Sequence, residues 1–266
     1  MIFFLLPLCV YSWNYQQNGE DWEGTCATGS EQSPINIDQG DTSKLGDTYS
    51  MLVYYYGIVG SRTVVNDGNT ISLPGDYGYI TITDQKGNDR KFLTDHIEFH
   101  MPSEHWFDGY PSQMEVQVFH TIDDSDYTAG FPSKAVVSIM IRPGDDNYFM
   151  AAISLSKLPA SGSNYTLAAT SLVNLLDICD PYDNYYFYHG SLNKPDCNET
   201  YLWYVFETEQ MVSFAQMNYF SLLWVEDTSF SEGKGNIRET QRLHGRTVYY
   251  SSASSLALSL LWFFWS

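Results

Sequence analysis

Apolar and polar residues alternate at period two in several short runs of the chain. In YITIT (79–83), Ile80 and Ile82 fall on one face. In HIEFH (96–100), Ile97 and Phe99 lie opposite His96, Glu98 and His100. MEVQVFH (114–120) sets Met114, Val116 and Val118 against Glu115, Gln117 and Phe119. Successive side chains of a strand point to opposite faces, so each run predicts a β-strand with two chemically distinct sides. AVVSIMI (135–141) is almost continuously apolar, as a strand buried on both faces is, and YLWYVFE (201–207) reads as another strand. Turn residues separate the runs, as in NDGN, LPGD and RPGDDN.

Helical spacing occurs in TLAATSLVNLLDICD (166–180), where Ala168, Leu172, Leu175, Leu176 and Cys179 share a face and Pro181 follows. This predicts a helix that buries Cys179 as an inert core thiol. A shorter helix is expected from Thr208, in TEQMVSF. The expected fold is mainly β (α+β). It is one domain with a central twisted, predominantly antiparallel sheet and a few short surface helices.

Composition agrees. Aromatic residues make up 16% of the 266 residues, 21 of them tyrosine, and such side chains suit a pleated, half-buried surface. A formal net charge of −19 argues against nucleic acid or an anionic membrane as partner, because both select for Lys and Arg. The ends carry a different pattern. MIFFLLPLCVYS (1–12) reads as the apolar core of a secretory signal, with a buried first strand as the alternative. In the tail 251–266, Leu256 to Trp265 is apolar apart from Ser259 and too short to span a bilayer. Small residues before it fit a glycolipid-anchor signal, and a surface-lying tail is the other reading. The predicted location is therefore secreted or on the extracellular face of the cell, with membrane contact only through a lipid anchor. NYT and NET place N-glycan acceptors at Asn164 and Asn198. Without Cys9, the chain keeps Cys26, Cys179 and Cys197, an odd number that leaves one thiol free or linked between molecules.

HIEFHMPSEH (96–105) packs three histidines and two glutamates into ten residues, which looks like a metal site. Together with SWNY, EQSPINI (31–37), NDGNT (66–70), MEVQVFH, YHGSLNKPDCNETYLW (188–203) and NIRETQRLHGRTV (236–248), it resembles the α-class carbonic anhydrases over residues 13–250. The resemblance implies a sheet of about ten strands around a conical pocket and a Cys26–Cys197 disulfide, leaving Cys179 free. It also implies CO2 hydration by a zinc-bound hydroxide on three neutral imidazoles.

Carried over residue by residue, that chemistry is altered. The three ligand positions match Glu98, His100 and Gln117, so one imidazole remains. A carboxylate raises the pKa of metal-bound water, and an amide oxygen is a poor zinc ligand. The threonine that orients the hydroxide matches Asn193, the next threonine matches Lys194, and the proton-shuttle histidine matches Asn69. Glu104, His105, Glu115 and Tyr188 match supporting positions, and His96 stands where a supporting glutamine is expected. His96 lies about 13 Å along its strand from His100 and is no substitute ligand. His120 faces the other side of its strand from Gln117. The chain thus resembles a carbonic anhydrase-related member with a degenerate zinc site. The expectation is no metal or weakly bound zinc, no efficient hydration, and a pocket or rim that binds a protein or small ligand. An unusual, weak metal site retaining carbonate dehydratase activity is the alternative.

Overall fold

The computed structural model describes residues 13–252. The apolar leader 1–12 and the tail from residue 253 lie outside the described residues. Ser251 closes the last strand, Tyr249–Ser251, which pairs with Tyr185–Gly190.

A thirteen-stranded sheet dominates the molecule. At its centre Asp89–His100 pairs antiparallel with Met114–Ile122, which pairs antiparallel with Lys134–Pro143. Ile71–Pro74 and Gly78–Thr83 both pair antiparallel with Asp89–His100, along its later and earlier halves respectively. Tyr201–Phe206 joins the far side of Lys134–Pro143 in parallel and pairs antiparallel with Tyr185–Gly190. The other parallel pairings in this sheet, among the described residues, are Lys134–Pro143 with Gln210–Val212 and Tyr249–Ser251 with Ser43–Lys44. Antiparallel pairing predominates, and two of the pairs, Thr63–Asn66 with Ile71–Pro74 and Gly78–Thr83 with Asp89–His100, are joined by short hairpin connections.

Both faces of the sheet are covered. Ile97, Phe99, Val116, Val118, Val137 and Ile139 point into the larger apolar core with Phe149 and Phe220. Val136, Met140, Tyr188, Trp203 and Phe119 form a second cluster with Ile35 and Ile37. Burial on both sides explains why 135–141 shows no alternation. At about 25 cal/mol per Å2 of apolar surface removed from water, these two layers supply the main drive to fold.

Two predicted helices are corrected. In 166–180, Leu172–Asn174 is a strand paired antiparallel with Ile58–Gly60, followed by a single 3-10 turn at Leu175–Asp177. Burial there alternates, with Leu172 58% exposed and Val173 fully buried. Local hydrogen bonds win over helix: Ser171 N donates to Ala168 O, and the Asn174 side chain accepts from Leu176 N. Cys179 is nevertheless buried and free. Further on, no helix starts at Thr208. Gln210–Val212 is the strand beside Lys134–Pro143, and the helix is Phe214–Trp224 with Ser213 as its N-cap.

Candidate functional site

The register of the two central strands builds the site. Gln117 lies opposite Glu98, Glu115 opposite His100, and Phe119 opposite His96. The polar faces of two alternating sequences therefore meet as two facing rows, and cross-strand neighbours come within side-chain reach. Glu98 is 4% exposed, and His100, Glu104, His105, Glu115, Gln117 and Asn193 are fully buried. Polar groups held so far from water need internal partners, and the partners decide the chemistry.

His100 is fixed by Asn236. Its Nδ1 donates to the Asn236 carbonyl at 2.8 Å. The Asn236 side chain accepts from Met101 N and donates to Phe99 O, locking the loop onto the strand end. Gly235 makes the approach possible: at φ 90°, a Cβ there would stand 1.8 Å from Met101 O. His100 Nε2 is left without a hydrogen-bond partner, 3.9 Å from Glu98 Oε2, which also has none. Burial by itself depresses the His100 pKa, but the Glu104 and Glu98 carboxylates outweigh it and lift it to about 9.

Glu98 has another cation. Lys194 Nζ donates to Glu98 Oε1, and His96 Nε2 lies 3.2 Å from the same oxygen. The lysine is folded inward, its side chain 18% exposed. Burial disfavours the Glu98 charge, yet Lys194 and the two histidines overcome that and hold its pKa well below the usual carboxylate range. Burial likewise works against the ammonium, and the Glu98 charge reverses the effect and raises the Lys194 pKa. His96 also stacks on Phe119, 4.5 Å between ring centres.

Gln117 is committed elsewhere. Its amide nitrogen donates to Glu104 Oε2 at 2.9 Å and Glu115 Oε1 at 2.8 Å, and its oxygen accepts from Asn193 Nδ2 at 2.9 Å. Asn193 Nδ2 also donates to Glu104, while Asn193 Oδ1 is buried with no partner. Glu115 accepts from the backbone of Glu104 and His105, from His105 Nδ1, and from Ser138 Oγ, all within 2.9 Å. Burial opposes its ionisation, but His105 and these donors hold its pKa at about 2. Tyr188 completes this network, its hydroxyl 2.7 Å from His105 Nε2 and 2.9 Å from Ser33 Oγ.

The structure thus brings Glu98, His100, Gln117, Glu104 and Asn193 together, with His96 at their edge. His105, Glu115 and Tyr188 form the layer behind Gln117. Asn69 stands apart, its amide donating to Trp13 O. It lines an open cleft of about 400 Å3 with Asn14, Gln16, Asn66, Trp224 and Phe230, and none of the buried cluster lines that cleft. His120 lies on the other face against Tyr56 OH at 3.0 Å, where burial drops its pKa to about 3. Cys26 and Cys197 are bonded. Asn164 and Asn198 are exposed.

Two contributors escaped sequence reasoning. The Asn236 carbonyl orients the His100 imidazole. Arg238, fully buried, donates its guanidinium to Ser33 O and Cys26 O and its backbone N–H to Glu104 Oε1. Both lie in NIRETQRLHGRTV, a stretch whose resemblance named no roles for them. Among the described residues, no group of three or more His, Cys, Asp or Glu side chains is arranged to hold a metal ion. No helix there is long and apolar enough to cross a membrane.

A broad, two-faced sheet with a buried polar cluster on its central hairpin defines the carbonic anhydrase architecture. The chain belongs to the eukaryotic-type carbonic anhydrase family, whose model matches residues 15–252. It is 30% identical over 271 residues to carbonic anhydrase 4 of Oryctolagus cuniculus, covering 93% of this chain and 84% of that protein. Dioscorin dioA3 of Dioscorea japonica is 29% identical over 234 residues, covering 86% of this chain and 78% of that one. The solved α-carbonic anhydrase of Photobacterium profundum superposes with a TM-score of 0.69 at 27% identity, over 90% of this chain and 100% of that chain.

Proposed function

We propose that this protein is a carbonic anhydrase-fold binding protein without efficient CO2 hydration, secreted or held on the cell surface, whose pocket or rim takes a protein or small ligand. The observation that carries the reading is the commitment of two of the three ligand-position side chains to other side chains of the site. Glu98 is neutralised by Lys194, and Gln117 has its oxygen and nitrogen spent on Asn193, Glu104 and Glu115. Of the three, only His100 keeps a side-chain nitrogen with no hydrogen-bond partner. Such a donor set does not fit a zinc hydroxide centre, which needs three ligands and an open fourth position. Asn69 cannot titrate near neutral pH, so it supplies no proton shuttle.

The alternative, a weak metal site with residual hydratase activity, draws on the unpartnered His100 Nε2 and Glu98 Oε2, 3.9 Å apart. The Lys194 ammonium on the same carboxylate weighs against it. Stopped-flow CO2 hydration with elemental analysis of the same sample separates the two. The expected result is no acceleration over buffer and no stoichiometric zinc. Hydration that disappears in His100→Ala defeats the reading.

A further inference from the structure

The backbone that carries Lys194 is clamped on both sides. Asn193 before it donates to Glu104 and Gln117, and Cys197 after it is bonded to Cys26. Cys197 N donates to Lys194 O at 2.8 Å, and Leu192 N to Asn198 O at 3.0 Å, closing the loop on itself. The lysine therefore starts from a fixed point, and its side chain runs inward to end on Glu98, with its ammonium 6.0 Å from the centre of the Phe119 ring.

The Glu98 carboxylate is a two-sided bridge. One oxygen takes the ammonium, and the other faces His100 Nε2 at 3.9 Å. A divalent ion held by His100 and Glu98 has to share that carboxylate with a tethered positive charge. At separations of a few ångströms, in a site where the carboxylate is 4% exposed, water screens such repulsion little. The ion also gains less from a carboxylate whose charge the lysine already offsets.

We propose that Lys194 is the residue that keeps divalent metal out of this site, a built-in cation tethered to Glu98 beside the one imidazole whose Nε2 has no hydrogen-bond partner. The inference rests on the metal-free reading above and adds what enforces it. Restoring the missing imidazoles is then not enough. In the variant Glu98→His with Gln117→His, the ammonium loses its carboxylate while its backbone stays anchored beside the ligand positions.

The test is zinc affinity, measured by competition with a chelating dye, for that double variant and for the same variant carrying Lys194→Thr. Removing the lysine is expected to tighten zinc binding by at least about 100-fold. Equal affinities in the two overturn the inference. Should the triple variant fail to fold, cobalt titration of Lys194→Thr and Lys194→Gln in the otherwise native chain decides. Binding at least about tenfold tighter than wild type supports the proposal, and unchanged binding overturns it. The metal content of the purified wild-type chain is read separately. One zinc per chain there defeats the metal-free reading and the inference together, whereas equal variant affinities beside a metal-free wild type defeat the inference alone.

Discussion

Lys194→Met leaves the Glu98 carboxylate in a pocket where its side chain is 5% exposed, with two histidines as its remaining polar neighbours. At a hydrogen-bonded separation of about 3 Å and an effective dielectric of about 20, the gross attraction lost is roughly 5 kcal/mol. Part returns because the ammonium no longer has to be desolvated. Breaking a buried pair from one side typically costs about 3–5 kcal/mol, since the other charge stays behind. For a chain of this size, each kcal/mol moves the melting temperature by roughly 2–4 °C. A loss of about 10 °C is expected in a melt followed by tryptophan fluorescence. Adding Glu98→Gln removes the stranded charge, so the double variant should be more stable than Lys194→Met alone. The folded pKa of Glu98 is depressed, so the pair's stabilisation is present above the ordinary carboxylate range and is lost as pH falls through the folded value. The gap between wild type and Lys194→Met should therefore narrow below about pH 4.3. A variant within about 1 kcal/mol of wild type at pH 7 refutes the argument that this pair is held in a low-dielectric pocket.

Glu115 gives a second pH window. With its folded pKa near 2 against an ordinary value near 4.3, it contributes about 3 kcal/mol above pH 4.5, lost as pH falls toward 2. Glu115→Gln should be destabilised at pH 7 and show a shallower loss between pH 4.5 and 2 in urea unfolding, and parallel acid curves count against the assignment. Cys26 and Cys197 close a loop with a sequence separation of 171, for which loop entropy predicts about 5 kcal/mol and removal of native disulfides commonly costs about 2–5. Cys26→Ser with Cys197→Ser should fall in that range by urea unfolding, and a loss below about 1 kcal/mol contradicts it.

Much of the framework was legible in the residues. Period-two alternation placed Glu115, Gln117 and Phe119 on one face of their strand and His96, Glu98 and His100 on one face of theirs, because the strand's geometry is local. The helix expected in 166–180 failed for a reason outside that segment. Val173 is buried by pairing with Val59, more than a hundred residues earlier, and no window around 173 contains that partner. At the site, the sequence by itself determined which side chains of the two central strands share a face. Only the tertiary structure decided what each remaining group holds. Glu98 is taken by Lys194, ninety-six residues away in sequence, and the Gln117 oxygen by Asn193, seventy-six away. Facing depends on the period of one strand, whereas pairing depends on which loops the fold brings over it and on which buried atoms are left to be satisfied.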